Sequence, residues 1–538
     1  MAVLQPGQPP PPDYYADNLG FVLEEAARRN DDLLSTRERH LMLNWRASSP
    51  PARRLFARLQ SRKGPWFRVD SLFYPELKPD LSPEPASVQT PADSTLIDCA
   101  RAALNELAER NLITRLPDAP ADALLALLTV AELRALWPTL RSRRKDALIA
   151  ECVSSRTDQA LRGRLSTAHP WVAIADPVAL ARLETLFFGH DRGELSTFIL
   201  QDLGLRQFER YDIGPHTRPF PDRESFDHFA ALRRLGRWLD ERGAHPGDRH
   251  AIGRGLWRTT PVRIVARQRN RLLNRLGALH ERAGAFDEAL DSYARSEAHP
   301  ARERRIRLLT RLHDIRGASV LARRASSAPW SGDEEDFVDR WLAKHAGAKP
   351  AAPRSRSSAD IDIRPVPVTS EAARDFMDRG IESQACDDFA AMGLAAWHME
   401  NLLPLGLAGL LFWDVVFAPV EGAFSHPLQA GPRDLFWPDF AERRRVLIDD
   451  RLAVLGDRAI YESELRRVYE QKHGISNRLV AWPAWCEARL AAFLVVPDHE
   501  RILALAAHVI QHLERARTGF PDLLIYDPAL GISFCEVK

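Results

Sequence analysis

The sequence predicts a multidomain, mostly α-helical protein that ends in a small mixed α/β domain. Three observations carry that prediction. The chain has 538 residues, well beyond the ~150 of a usual domain, so three or four units are expected. Two stretches rich in Pro, Ser and Ala, at 78–94 (KPDLSPEPASVQTPADS) and 347–370, read as linkers and cut the chain into three parts. Apolar residues recur at three- and four-residue steps through most of the chain, whereas the last twenty residues, GFPDLLIYDPALGISFCEVK, read as two strands about a turn.

Composition excludes several classes. A hydrophobic fraction of 45% and a charged fraction of 27% are those of a globular protein. The net charge of +1 means that any anion-binding surface is local and offset by acid elsewhere. Of the 74 basic residues seven are Lys, which leaves 67 Arg, a skew that reads as the codon bias of a GC-rich bacterial genome. Lys63, Lys145 and Lys538 are the more informative for it. The five Cys are scattered and never spaced as CxxC, so neither a disulfide framework nor a zinc knuckle is indicated and a cytoplasmic protein is expected. Residues 1–13 lack the build of a signal peptide and read as a disordered leader. The apolar run NLLPLGLAGLLFWDVVFAPV, 401–420, has the length of a membrane span, but Pro404 and Asp414 make it a buried core segment, and no membrane partner is expected.

Taken in order, 14–77 is an N-terminal helical, DNA-binding region. LGFVLEEAARR and SPPARRLFARLQ carry helical periodicity, and RKGPWFRVD sets Arg62, Lys63, Trp66 and Arg68 beside a Gly-Pro turn. Such a turn suits phosphate; a solvated surface turn is the alternative. Within 95–160, Thr129 and Glu132 form a capping box that starts a helix at Val130, and Pro138 stops it. A second helix starts near Ser142 with Arg143, Arg144 and Lys145 in its first turn, the wrong charge for the positive end of a helix dipole. Phosphate explains cations there, and the pair resembles a SAP module, with plain packing as the alternative. Residues 161–346 are helical almost throughout. There Leu276, Gly277, Gly284, Ala289, Tyr293 and Pro300 fall close to tetratricopeptide spacing, and Arg304, Arg307 and Arg311 form a stripe that either holds a duplex or is a solvated face. After the linker at 347–370, residues 371–538 form the last domain. Its first helix is expected to run to Leu403, burying Phe389, Met392, Ala396, Met399 and Leu403, with Glu400 at its far end.

The terminal hairpin carries the chemistry. Leu523–Tyr526 reads as one strand, DPALG as the turn and Ile532–Lys538 as the return, so Phe534, Glu536 and Lys538 share a face. Asp522 begins the first strand opposite the end of the second. Carboxylates at neighbouring strand ends suit one or two Mg²⁺ or Mn²⁺ ions, and Lys538 is placed to stabilise developing charge. An ordinary surface hairpin can carry the same residues by chance. Other chemistries lack their motifs: no GxxxxGK loop for a nucleotide, no GxSxG elbow, and in HVIQH no Glu to accompany His508 and His512.

GFPDLLIYDP followed by FCEVK resembles the VRR-NUC signature of the PD-(D/E)xK nucleases. YYADNLGFVLEE, SPPARRLFARLQSRKGPWFRVDSLFYPE, LLTVAELRALW, GLLFWDVVF and DLFWPDFAERRR are together similar to the Fanconi-associated nucleases in their bacterial form. The resemblance implies a helical N-terminal region, SAP-like and tetratricopeptide-like domains and a C-terminal VRR-NUC domain. It implies metal-dependent cleavage near 5′ flaps with 5′-to-3′ exonuclease action in interstrand crosslink repair, on branched or flapped DNA. It also implies Asp522, Glu536 and Glu400 as metal ligands, the Val537 carbonyl completing the shell, Lys538 as the catalytic lysine, and Arg515 or Arg517 meeting a 5′ phosphate. Family members continue past that lysine through a Gly-Pro step, an Asp, a helix and a strand. Ending on Lys538 therefore implies either a piece of a longer product or an incomplete nuclease, and a non-catalytic scaffold on branched DNA is the rival expectation.

Overall fold

The computed structural model describes residues 14–62, 64–77, 94–115, 119–142, 144–189, 206–243, 245–345, 347, 380–495, 499–517, 519–527 and 529–537. The chain divides after Leu205 into two compact units, not at the positions the linkers suggested.

In the first unit, helices Tyr14–Arg29, Thr36–Ala47 and Pro50–Ser61 follow the expected periodicity, with Leu19, Val22, Leu23 and Ala26 buried at helical spacing. Ser35 and Glu38 form a capping box, and Ser49 caps a helix that opens on Pro50. RKGPWFRVD then leaves the helix, because Gly64-Pro65 cannot continue it. It supplies β1 (Trp66–Arg68), which joins β2 (Ile113–Arg115) and β3 (Trp171–Ile174) in an antiparallel sheet of order β1-β3-β2. The register sets Phe67 opposite Val172 and Thr114 opposite Ala173. As β3 is the central strand, residues 161–189 belong with this unit and not with the helical domain expected to begin at 161. The Thr129–Glu132 capping box is present and starts the helix Val130–Leu136. The next helix, Lys145–Ser155, begins three residues later than its sequence suggested.

The second unit, from Arg206, holds a helical array and the terminal α/β part together. Helices Arg263–Arg282 and Phe286–Ala294 pack as a pair. A Cβ at Gly277 would stand 2.7 Å from the Tyr293 ring, so the small residue admits the aromatic as the repeat spacing implied. Helices Ala301–Arg311, Ile315–Ser327 and Gly332–His345 continue the array. Arg302 and Glu334, both buried, tie it together through a 2.9 Å bond from Nε.

Among the described residues five strands complete the unit: β4 (Gln207–Phe208), β5 (Ala395–His398), β6 (Ile475–Ser476), β7 (Leu523–Asp527) and β8 (Gly531–Cys535). β4 pairs in parallel with β6, Glu209 accepts the Trp413 indole N–H at 2.7 Å, and the Tyr211 ring stacks 3.8 Å from Phe424. Residues 206–213 thus complete the core of the terminal part. That core gathers Leu403, Leu407, Leu410, Phe412 and Trp413 with the later helices. The apolar run is therefore interior, broken into helices Leu402–Leu411 and Trp413–Val416 with Asp414 exposed. Among the described residues no helix is long and apolar enough to cross a membrane.

The helix expected up to Leu403 is instead Ile381–Ala391, then a turn with Gly393 at φ +80°, then β5; its expected residues at 371–379 lie outside the described part. Met392, expected inside, is 59% exposed. Strand pairing outweighs helical spacing here: β5 finds β7, and the sheet runs β5-β7-β8 with His398, Leu523 and Cys535 in one row.

Candidate active site

Since β7 is central, the residue just before it lies between the ends of its two neighbours. That residue is Asp522. Its backbone carbonyl accepts the N–H groups of Met399 and Glu400, each at 3.0 Å. Its carboxylate Oδ2 accepts the Val537 N–H at 2.9 Å. The turn after β5 and the segment after β8 are therefore both pinned to Asp522. Glu400 is not at a helix end, as expected, but in the tight turn between β5 and the helix from Leu402, with φ +31°. A non-glycine residue there is strained, and such strain gathers at functional positions.

Glu400 and Glu536 are exposed and Asp522 is half-buried. The Glu400 carboxylate accepts the Asn401 amide at 2.7 Å, while Asn401 Oδ1 takes the Phe520 N–H at 3.3 Å. Asn401 thus links the Glu400 turn to the segment carrying Asp522, a role no local sequence signal announced. Burial lifts the Cys535 thiol above its ordinary pKa, and the charges of Asp522 and Glu536 add to the shift. Glu536 lies one residue past β8, not inside a return strand reaching to 538. Val537 contributes its N–H, and Lys538 is outside the described residues.

The donor set is hard carboxylate oxygen, which suits Mg²⁺ or Mn²⁺ and not the softer metals. The three acids are neighbours along the backbone, yet among the described residues no group of three His, Cys, Asp or Glu side chains is arranged to hold a metal ion. The expected grouping of carboxylates is thus present in the chain path and not in the side-chain positions.

The basic residues picked out from the sequence have varied surroundings. Lys63 and Arg143 lie outside the described residues. Arg144 is exposed at the N-cap of its helix, whereas Lys145 donates at 2.7 Å to the Ala126 carbonyl, at the end of the helix Ala121–Ala126. Arg304 is bound to Glu281, at 3.1 Å from Nε, and Arg307 to Glu303 at 2.8 Å. Their stripe is therefore largely neutralised along its length, with Arg311 resting over the Phe286 ring. Arg515 pairs with Glu335 at 2.5 Å and fills the space beside Gly332, joining the last segment to the helical array. Arg517 is exposed and lies 4.6 Å over the Phe436 ring, which Arg478 also approaches, at 4.9 Å. Among the described residues neither of these two has an acidic partner. Arg478 and Phe436 were missed from sequence because they lie 39 and 81 residues from Arg517 and have no motif of their own.

Known proteins supply an independent comparison. Residues 13–86 match the family profile described as "FAN1, HTH domain", nearly the span set out above as the N-terminal region. The Fanconi-associated nuclease 1 homolog of Pseudomonas aeruginosa is 29% identical over 97% of this chain and 89% of its own length. The Arabidopsis thaliana homolog is 24% identical over 96% of this chain, which spans 62% of that longer protein. Among solved structures, paFAN1 bound to 5′ flap DNA with a two-nucleotide flap and a gap superposes with a TM-score of 0.79 at 27% identity, covering 99% of this chain and 94% of that one. Profile, sequence and fold thus agree in what the chain is similar to, the Fanconi-associated nucleases.

Proposed function

We propose that the protein is a structure-specific DNA nuclease that hydrolyses phosphodiesters near 5′ flaps, degrades DNA 5′-to-3′, and serves in interstrand crosslink repair. The carrying observation is the double hydrogen bond from Met399 and Glu400 to the Asp522 carbonyl, which brings an acid from a separate element to the PD…EVK hairpin in a chain similar to these nucleases. Glu400, Asp522 and Glu536, with the Val537 carbonyl, would hold one or two Mg²⁺ or Mn²⁺ ions, which supply a Lewis acid and a water of lowered pKa. The residues do the positioning. Val537 N–H fixes one carboxylate oxygen of Asp522 and leaves the other for a ligand. The exposed Glu400 side chain exchanges its Asn401 amide for the site, and Lys538 steadies charge developing on the phosphate. Arg517, with Arg478 beside it, meets a phosphate of the cleaved strand, and Arg144 meets the backbone of a duplex arm. The terminal part is a VRR-NUC domain, preceded by tetratricopeptide-like helices and, in the first unit, a SAP-like pair.

A second reading is favoured by the ungrouped carboxylates: a scaffold that binds branched DNA without cutting it. A 5′-flap duplex incubated with Mn²⁺ separates the two. The nuclease yields cut product that Asp522→Ala and Glu400→Ala abolish without loss of binding. Binding with no product from the wild-type chain would leave the scaffold.

A further inference from the structure

Away from the carboxylate site, the helices Ala301–Arg311 and Ile315–Ser327 enclose an open cavity of about 570 Å³. Three arginines line it, Arg305, Arg316 and Arg324, against a wall that includes Leu309 and Val320. Its one acid, Asp314, is already engaged, since its carboxylate caps the second helix by accepting the Gly317 N–H at 2.8 Å. The Arg305 Nε is shielded from solvent and has no hydrogen-bond partner. Burial and the nearby Arg324 charge both lower the pKa of the Arg305 guanidinium. Among the described residues none of the three arginines has an ion pair.

The neighbouring cavity, of about 530 Å³, shows the contrast. There, too, three arginines face one acid, but Arg304 is ion-paired with that acid, Glu281, whose carboxylate also accepts the Tyr293 hydroxyl at 3.2 Å. At the Arg305 cavity the fold sets three arginines and the positive end of a thirteen-residue helix against the single carboxylate of Asp314, which among the described residues forms an ion pair with none of them. Like charges held together cost free energy unless an anion joins them. Guanidinium groups converging from two helices fit the several oxygens of a phosphate, and the apolar wall fits a deoxyribose beside it.

We propose that the cavity between helices Ala301–Arg311 and Ile315–Ser327 is a phosphodiester site that grips the backbone of a DNA arm away from the point of cleavage. The inference rests on the reading of the protein as a DNA-binding nuclease.

The test uses the full chain with a 5′-flap duplex in EDTA, so that binding is read without cutting. Arg324→Glu is compared with Arg323→Glu, a matched charge reversal at an exposed neighbour that does not line the cavity. The expected result is a Kd raised about tenfold by Arg324→Glu and less than twofold by Arg323→Glu. The slope of log K against log salt should fall by about 0.9 in the first variant only, the value of one phosphate contact on duplex DNA. Circular dichroism confirms that both variants fold, and Arg324→Lys should restore most of the salt slope. Equal effects of the two reversals overturn the proposal, because they reduce it to general charge. Stabilisation by inorganic phosphate that Arg324→Glu removes, with DNA affinity unchanged, also overturns it, by reassigning the cavity to a free anion. An acidic polypeptide that binds there while DNA affinity is unchanged does the same. Wild-type protein that fails to bind the flap duplex sinks the nuclease reading itself, a result distinct from a wild-type chain that binds and an Arg324→Glu variant that binds equally well.

Discussion

Replacing Glu400 by glycine should stabilise the protein and end its cleavage of DNA. At φ +31° an L-residue carries roughly 1–2 kcal/mol of steric strain that glycine lacks. Glycine returns roughly 0.5–1 kcal/mol of that through the greater freedom of its unfolded chain. The hydrogen bond lost with the carboxylate, from Asn401, is exposed and adds little. The balance is a gain of about 0.5–1 kcal/mol, which for a unit of this size raises Tm by roughly 1–3 °C. The two N–H groups that hold the turn to the Asp522 carbonyl are backbone and survive the substitution. Glu400→Ala keeps the strain and should melt near wild type. Both variants lose a carboxylate at the metal site, so cleavage of a 5′-flap duplex with Mn²⁺ should fall beyond the roughly 10–100-fold that loss of an outer-shell group costs. Scanning calorimetry and a gel-based cleavage assay on the same preparations give both readouts. A glycine variant that cuts at the wild-type rate removes Glu400 from the site. One that melts below wild type shows that the turn is not strained at this residue.

Two further predictions concern the frame that holds the site. Asp434 and Arg444 are almost fully buried and paired at 2.9 Å and 3.0 Å, so Asp434→Leu, which strands the guanidinium, should cost about 3–5 kcal/mol in urea unfolding, and adding Arg444→Met should recover most of it; a single-variant cost below about 1 kcal/mol contradicts that burial. In the first unit, the Thr129 N–H first, and Arg68 as well, hold the Glu132 carboxyl down at about 2, from an ordinary 4.5. The folded state therefore binds fewer protons in that window, and the stability Glu132 contributes is full above pH 4.5 and lost as pH falls toward 2. Glu132→Gln should flatten this part of the acid-unfolding curve, and an unchanged curve would show that the bonds from Thr129 and Arg68 do not persist in solution.

Legibility in the sequence depended on how local the cause was. The Thr129–Glu132 cap, the Gly277–Tyr293 contact and the terminal hairpin were readable because each rests on residues close in the chain. Asp522 and Glu536 were found for the same reason, since a two-strand turn fixes their approach. Glu400 was picked out only by resemblance and was put on a helix, because Phe389, Met392, Ala396 and Met399 mimic helical spacing. Residues 395–398 become a strand only through β7, more than 120 residues later. The same distance effect hid the partners of the arginines. Arg304 and Arg515 look like free cations in the sequence, and acids on other helices, Glu281 and Glu335, take them up. Residues 206–213 and 161–189 were put with the wrong neighbours because β4 and β3 find their partners across the fold and carry no periodicity long enough to show it.

What the fold fixes at the carboxylate site is the backbone, and electrostatics gives the reason. Three carboxylates drawn within about 4 Å of one another repel by about 1 kcal/mol per pair even in water, and by several times that near a protein surface. No packing of the acids themselves can hold such a set together. Hydrogen bonds from neutral N–H groups can, and here they run from Met399, Glu400 and Val537 to Asp522, bringing three chain segments to one point while the acidic side chains of Glu400 and Glu536 remain exposed. The separation of the carboxylates, which favours a scaffold when taken alone, is therefore also what a nuclease shows before an ion draws the acids together. The strained turn does distinguish the two readings. A scaffold that only grips DNA gains nothing from an acid at positive φ, where Gly or Asn would sit at lower cost, whereas a site that must deliver a carboxylate to a ligand beside Asp522 needs one at that position.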